Sequence, residues 1–183
     1  MEIILAKTAG FCFGVDRAVK LTYDLLDKLG IQFWRTDHGW MKADTMEDCH
    51  VIDACLNATV CKNLFLCNRQ KTNFYLLMMP GDKPFKTKEL SHQLGIARLS
   101  FASPEDMEQY LDCTPGSSSI MGLANDTENK VQLLMDEDIK AGEYLGCHPC
   151  INTSSLKLRT ADVLETFLPA VHHEPIFVHL TGE

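Results

Sequence analysis

Hydrophobic and polar positions alternate with two different periods along this chain, and the switches between periods mark its elements. Val15, Ala18, Val19, Leu25, Leu26 and Leu29 fall near helical spacing, which predicts an amphipathic helix over residues 16–29 that Gly30 stops. A short strand over residues 31–35 follows. Thr45-Met46-Glu47-Asp48 resembles a capping box, so a second helix is predicted to run to about Leu56. Residues 60–67 and 73–79 are strand-like runs on either side of the polar Asn68-Arg69-Gln70-Lys71-Thr72, which is a hairpin pattern. Pro80-Gly81-Asp82 then breaks the chain.

Residues 87–94 read as a short helix ended by Gly95. Ser103-Pro104-Glu105-Asp106 supplies a cap, a proline at the first helical position and early acidic residues, so a helix is predicted from there to near Leu111. Strands are expected over residues 118–123, 130–135, 144–147, 154–158 and 176–180, and Thr160 caps a predicted helix through Leu168. Strands dominate the middle and helices the flanks, without a regular βαβ alternation. The expected fold class is therefore α+β, with a mixed, barrel-like sheet flanked by helices in one domain over residues 1–183.

Composition narrows the functional classes. Of the 183 residues, 45% are hydrophobic and 23% charged, an ordinary globular balance with no polar low-complexity tract. No apolar run approaches the roughly 20 residues that span a bilayer. Glu2 and Lys7 interrupt the apolar start and no small-residue cleavage site follows, so a signal peptide is not expected. The eight cysteines are spread through a chain with its own hydrophobic periodicity, which fits reduced thiols in a cytoplasmic protein. The formal net charge of −8 excludes a general nucleic-acid coat, because phosphate neutralisation supplies most of that affinity. Any RNA contact must be a local patch. Lys83, Lys86 and Lys88 are candidates for it, and a solvated stretch explains them equally well.

Three segments could carry chemistry. In Val60-Cys61-Lys62-Asn63-Leu64-Phe65-Leu66, alternation puts Lys62 on one face with Leu64 and Leu66; the lysine either points out of an edge or meets an anion in a cleft. In Cys113-Thr114-Pro115-Gly116-Ser117-Ser118-Ser119, a proline-glycine turn precedes three serines whose hydroxyls and backbone N–H groups could hold an ester oxygen; a plain turn is the simpler reading. Gly146-Cys147-His148-Pro149-Cys150-Ile151-Asn152-Thr153-Ser154 gathers imidazole, amide and hydroxyl groups. Cys147 and Cys150 form a C-x2-C pair, but the spacing of Cys61 and Cys67 does not complete a zinc knuckle, so no metal is expected.

Two family resemblances stand beside these readings. Ala9-Gly10-Phe11-Cys12-Phe13-Gly14-Val15 with Arg17-Ala18-Val19 resembles the start of the LytB family of iron–sulfur reductases, in which the cysteine at this place holds the cluster. The chain lacks that family's later cysteine-bearing segments, so Cys12 is read as a core cysteine and residues 1–20 as an atypical start. From about Tyr23 onward the chain resembles the YbaK/prolyl-tRNA-synthetase-associated editing family, and within it the free-standing deacylases of Ala-tRNA(Pro). Leu25-Leu26-Asp27-Lys28-Leu29-Gly30-Ile31, Cys61 to Leu66, Leu94-Gly95, the Gly116 loop, His148-Pro149 and Asn152-Thr153 carry the likeness.

That resemblance implies a trans-editing hydrolase that needs no cofactor and binds the aminoacyl acceptor end of mischarged tRNA(Pro). It also implies a link to prolyl-tRNA synthetase and a monomeric, cytoplasmic protein. It implies Lys62, Gly116 and His148 as catalytic. Lys62 would hold the terminal phosphate or the ester, Gly116 and the serines after it would donate to the reacting carbonyl, and His148 would line the amino-acid side. Asn63, Thr114, Pro115, Ser117, Ser118, Pro149, Asn152 and Thr153 would bind substrate. The family loop reads glycine, three residues, then proline, and here the last position is Ile120, so alanine as the residue removed is less secured than deacylation. The alternative classes are a catalytically silent module that binds tRNA ends or an amino acid in proline metabolism, and an iron–sulfur protein resting on Cys12.

Overall fold

The computed structural model describes residues 13–38, 46–58 and 60–182. Cys12, the rest of the LytB-like start before Phe13, and the Thr45 cap lie outside the described residues. Helix α1 (Phe13–Leu29) buries Ala18, Thr22 and Leu26, which are four residues apart and so share one face. Gly30 ends it at φ +68: its N–H donates to the Asp27 carbonyl at 3.1 Å, and the Ile31 N–H donates to the Leu26 carbonyl at 3.0 Å. That pair of bonds is a Schellman stop, and it requires a left-handed residue.

Strand β1 (Phe33–Asp37) and helix α2 (Met46–Leu56) follow, then the hairpin of β2 (Lys62–Cys67) and β3 (Phe74–Met79). Helix α3 (Thr87–Gln93) leads through the two-residue β4 (Ser100–Phe101) to α4 (Pro104–Leu111). The predicted cap of α4 is present in full: the Asp106 N–H donates to Ser103 Oγ, and the Ser103 N–H donates to the Asp106 carboxylate. After a 3-10 helix (Ile120–Asn125) come β5 (Val131–Asp136), α5 (Glu137–Ala141), β6 (Tyr144–Cys147) and β7 (Ser154–Arg159). A helical stretch of α6 (Thr160–Asp162), a π turn (Val163–Phe167) and α7 (Leu168–Ala170) precedes β8 (Ile176–Val178).

The strands form two sheets. One has the order β4-β2-β3-β5-β8, antiparallel through β3 and parallel from β3 to β8; the other is the antiparallel β1-β7-β6. They meet where Val60 bridges Gly146 and the Cys61 N–H donates to the Gly146 carbonyl at 2.8 Å. The α+β class and the mixed, barrel-like sheet stand as expected. Between the sheets and against α1, Phe65, Leu76, Met78, Leu133, Met135, Leu145, Leu156 and Phe167 make the main core. On the other face of the five-stranded sheet, Leu66, Leu77, Leu90, Leu134 and Leu180 make a second. Among the described residues no helix is long and apolar enough to cross a membrane.

Four elements differ from expectation. Residues 118–123 are not a strand: Ser119 caps a 3-10 helix through its Oγ, which accepts from the Met121 N–H. Gly122 lets this helix seat on the end of α4, since a Cβ there would lie 2.9 Å from the Leu111 carbonyl oxygen. The predicted helix from Thr160 forms, but with the π turn inside it, and α5 and β4 were not foreseen.

Candidate active site

The Cys61–Gly146 junction fixes the site. Lys62 follows Cys61, and His148 lies two residues beyond Gly146. The third segment is tied in from Ser119, whose hydroxyl donates to the His148 backbone carbonyl. Before it, Thr114-Pro115-Gly116-Ser117 closes a turn with the Ser117 N–H on the Thr114 carbonyl at 2.9 Å. Gly116 at φ +85, directly after a proline, meets the requirement of a type II turn. The turn residues Thr114, Pro115 and Gly116 are exposed. The three serines, expected to be open, are buried because two of them are used structurally: Ser117 Oγ accepts from the Thr114 N–H at 3.0 Å, and Ser119 caps and tethers.

Alternation along β2 puts Cys61, Asn63 and Phe65 toward the main core and Lys62 on the opposite face with Leu64 and Leu66. The half-buried Lys62 ammonium donates to the Lys83 carbonyl, and among the described residues it makes no hydrogen bond to His148 or the Gly116 turn. Burial lowers its pKa, and the nearby Asp82 opposes the shift. Gly81 makes this approach possible, because a Cβ there would stand 2.7 Å from the Val60 carbonyl oxygen. Lys83 itself is not a free cation. Its ammonium contacts both Asp136 carboxylate oxygens at 2.8 and 2.9 Å, Asp138 at 2.7 Å and the Leu180 carbonyl at 2.8 Å, which corrects its reading as a phosphate contact. Lys86 and Lys88 are exposed.

His148 is buried, and its Nδ1 lies 3.0 Å from the Ser154 carbonyl. A carbonyl only accepts, so Nδ1 carries the proton. Burial lowers the His148 pKa below its ordinary 6.5; the Ser154 bond opposes this and neighbouring His38 reinforces it. The ring is therefore neutral at pH 7, with Nε2 a hydrogen-bond acceptor. Among the described residues Nε2 has no hydrogen-bond partner.

Two residues that carry no sequence signal of their own complete the arrangement. Ser155 Oγ lies 3.3 Å from His148 Nδ1 and 3.0 Å from His38 Nε2, and the two rings are 6.3 Å apart. The pairing of Thr36 with Ser155 across β1 and β7 delivers His38 there, and its N–H donates to the Thr153 carbonyl at 2.9 Å. Pro149 is buried, Asn152 and Thr153 are half-buried, and Cys150 turns the loop at φ +62.

Asn63 Oδ1 and Ser118 Oγ are buried without a hydrogen-bond partner among the described residues, although Asn63 Nδ2 donates to the Cys61 carbonyl at 3.3 Å. Such groups cost about 1–3 kcal/mol each unless something pairs with them. The thiols nearby are poor nucleophiles: burial pushes Cys61 up to about 12 and Cys147 up as well.

Residues 41–166 match the family model of the aminoacyl-tRNA editing domain. The chain belongs to this family. Among editing-domain relatives, it is 29% identical over 138 residues to the prolyl-tRNA editing protein ProX of Acetoanaerobium sticklandii, covering 75% of this chain and 83% of the relative. It is 28% identical over 157 residues to prolyl-tRNA synthetase associated domain-containing protein 1 of Danio rerio, covering 85% and 83%. A crystal structure described as that of a candidate trans-editing enzyme for prolyl tRNA synthetase superposes with a TM-score of 0.65 at 11% identity, covering 89% of this chain and 97% of that one. A further stretch of 33 residues, 18% of the chain, is 54% identical to 12% of the 4-hydroxy-3-methylbut-2-enyl diphosphate reductase of Geobacter sulfurreducens. So short a likeness is in keeping with the LytB-like start and carries no activity over.

Proposed function

We propose that this editing domain is a trans-acting deacylase that hydrolyses the ester of a small amino acid, alanine foremost, wrongly attached to tRNA(Pro). The observation that carries the reading is the convergence of three segments. Asn63 Oδ1 and Ser118 Oγ, both buried and unpartnered among the described residues, lie on the segments that the Cys61–Gly146 and Ser119–His148 bonds tie to the segment carrying a neutral His148, whose Nε2 can accept. This is a set for holding a polar substrate rather than for forming a covalent acyl intermediate. The relative named as a prolyl-tRNA editing protein supports the substrate class, and the one named for a prolyl-tRNA synthetase associated domain is in keeping with it.

The reaction asks little of the protein, because an aminoacyl ester is already activated. Water adds to the ester carbonyl, the C–O bond to the ribose breaks, and the ribose oxygen leaves with a proton. Lys62 exchanges the Lys83 carbonyl for the terminal phosphate or the ester, which a lysine on its flexible stem can do. Backbone donors at Gly116 and beyond receive the charge that develops on the carbonyl oxygen. His148 Nε2 accepts from the substrate ammonium, with Asn63, Ser118, Asn152 and Thr153 closing around the amino acid. Ser155 and His38 hold the His148 ring. Discrimination against proline is by size.

Lys62→Ala and His148→Ala test the assignment. Removing the Lys62 donor is expected to lower kcat for mischarged tRNA(Pro) about 100-fold or more, and removing the His148 acceptor is expected to weaken substrate binding, each with the fold retained by circular dichroism. Unchanged turnover in Lys62→Ala would remove Lys62 from the mechanism. A folded wild type that binds tRNA yet hydrolyses nothing would instead make the domain a silent binding module.

A further inference from the structure

Lys83 is locked in its carboxylates and leaves only Lys86 and Lys88 of that stretch exposed, whereas the outer face of the β1-β7-β6 sheet combines cations with aromatic rings. Leu145, Cys147, Leu156 and Leu158 point into the main core, so the alternate residues Trp34, Tyr144, Lys157 and Arg159 point outward. Trp34 pairs with Lys157 across the sheet, and Tyr144 pairs with Arg159. The two rings meet edge to face with centroids 5.7 Å apart. The Lys157 ammonium sits 4.4 Å from the Tyr144 ring and 5.4 Å from the Trp34 ring, and it donates to the Asn57 carbonyl just past the end of α2 at 3.0 Å. Trp34 nonetheless remains 48% exposed, and Arg159 is exposed.

Of the outward residues of these three strands, Trp34, Thr36, Tyr144, Lys157 and Arg159 reach solvent and none is acidic, while Gly146 and Ser155 are buried. In a chain of net charge −8 this is a local cationic and aromatic face. Arg35 and Asp37, which pair at 2.6 Å, belong to the alternate row of β1. The face also leads to the candidate active site. Lys157 and Ser155 are two residues apart on the same side of β7, about 7 Å, and Ser155 contacts His148.

Resting on the editing reading above, we infer that this face is the platform for the unpaired 3′ nucleotides of the tRNA, with a base stacked on Trp34 and phosphates met by Lys157 and Arg159. Aromatic rings interleaved with cations suit single-stranded RNA because every base has a stacking face while the cations follow its backbone. The net charge of −8 works against a wider RNA footprint.

The experiment measures binding of uncharged tRNA(Pro) over a range of salt, together with deacylation of mischarged tRNA(Pro) and of alanyl-adenosine, which has no preceding nucleotides. Trp34→Ala is expected to weaken tRNA binding about 5- to 30-fold, raise KM for charged tRNA and leave alanyl-adenosine turnover unchanged, while Trp34→Tyr keeps most of the affinity. Arg159→Ala is expected to reduce the slope of log affinity against log salt by about 0.7–0.9. Binding by Trp34→Ala and Arg159→Ala within twofold of wild type, with an unchanged slope, would overturn the inference. Loss of binding to prolyl-tRNA synthetase with tRNA binding intact would overturn it as well, by making this face a protein contact. If wild type binds tRNA through Trp34 but cleaves no ester, the deacylase reading fails and the platform stands.

Discussion

Ser118 and Ser119 are adjacent, buried and of the same type, yet their removal is expected to act with opposite sign on stability. Ser119 Oγ accepts from the Met121 N–H at 3.1 Å and donates to the His148 carbonyl, so Ser119→Ala strips the cap of the 3-10 helix and orphans a buried carbonyl. A lost cap costs about 1 kcal/mol, with a range of about 0.5–2. A buried carbonyl left unpaired costs about 1–3 kcal/mol more. The sum is a loss of about 2–4 kcal/mol. Ser118 Oγ has no partner among the described residues, so Ser118→Ala removes an unsatisfied group. Its stability should be unchanged or raised by up to about 1 kcal/mol.

Activity separates the two again. Ser118→Ala is expected to lower kcat/KM for mischarged tRNA(Pro) about 3- to 10-fold, the worth of one hydrogen bond, in a protein at least as stable as wild type. Urea unfolding at constant m-value supplies the stabilities, and single-turnover deacylation supplies the rates. A Ser118→Ala protein less stable than Ser119→Ala would refute the hydrogen-bond assignments on which the site is built.

Three further outcomes are expected. Stability should fall with acid in a first step set by His148. The unfolded chain binds a proton near the ordinary 6.5 and the folded chain only at lower pH, so the stability of the neutral form is full above about 6.5 and drains as pH falls toward the folded value; urea midpoints against pH should show this step in wild type and lose it in His148→Gln. Gly81→Ala should force the segment of residues 80–83 away from Val60, costing about 1–3 kcal/mol in thermal melts and lowering deacylation through the displaced Lys83 carbonyl; wild-type behaviour would dismiss this positioning of Lys62. Ser155→Ala should lower kcat about 10-fold with KM nearly unchanged and shift the acid limb of the pH–rate profile, since the His148 ring loses its link to His38; an unmoved limb would reduce Ser155 to packing.

Local signals were legible in the sequence wherever a short stretch settles its own conformation. The Ser103–Asp106 cap of α4 and the Gly30 stop of α1 use only neighbouring residues, and the β2–β3 hairpin follows from alternation around a polar turn. Residues 118–123 misled because Ile120, Met121 and Leu123 are all buried, which leaves no period to distinguish a strand from a 3-10 helix. The π turn over Val163–Phe167 and the five-residue α5 have too little pattern of their own.

The candidate site divides in the same way. Lys62, Gly116 and His148 stand in segments that a family likeness picks out. The links between segments depend on tertiary pairing: Ser119 to the His148 carbonyl, and Ser155 between His38 and His148, which follows from strand register. Lys83 shows the reverse error, a cation that looked available until Asp136 and Asp138, more than fifty residues away, were folded onto it.

The most direct measurement is hydrolysis of tRNA(Pro) charged separately with alanine, serine, cysteine and proline, beside alanine on tRNA(Ala). Trans-editing at a small pocket predicts fastest loss of alanine from tRNA(Pro), with proline spared. Equal loss of proline would contradict selection by size, and no loss from any of the five by the folded, tRNA-binding protein would contradict deacylation itself.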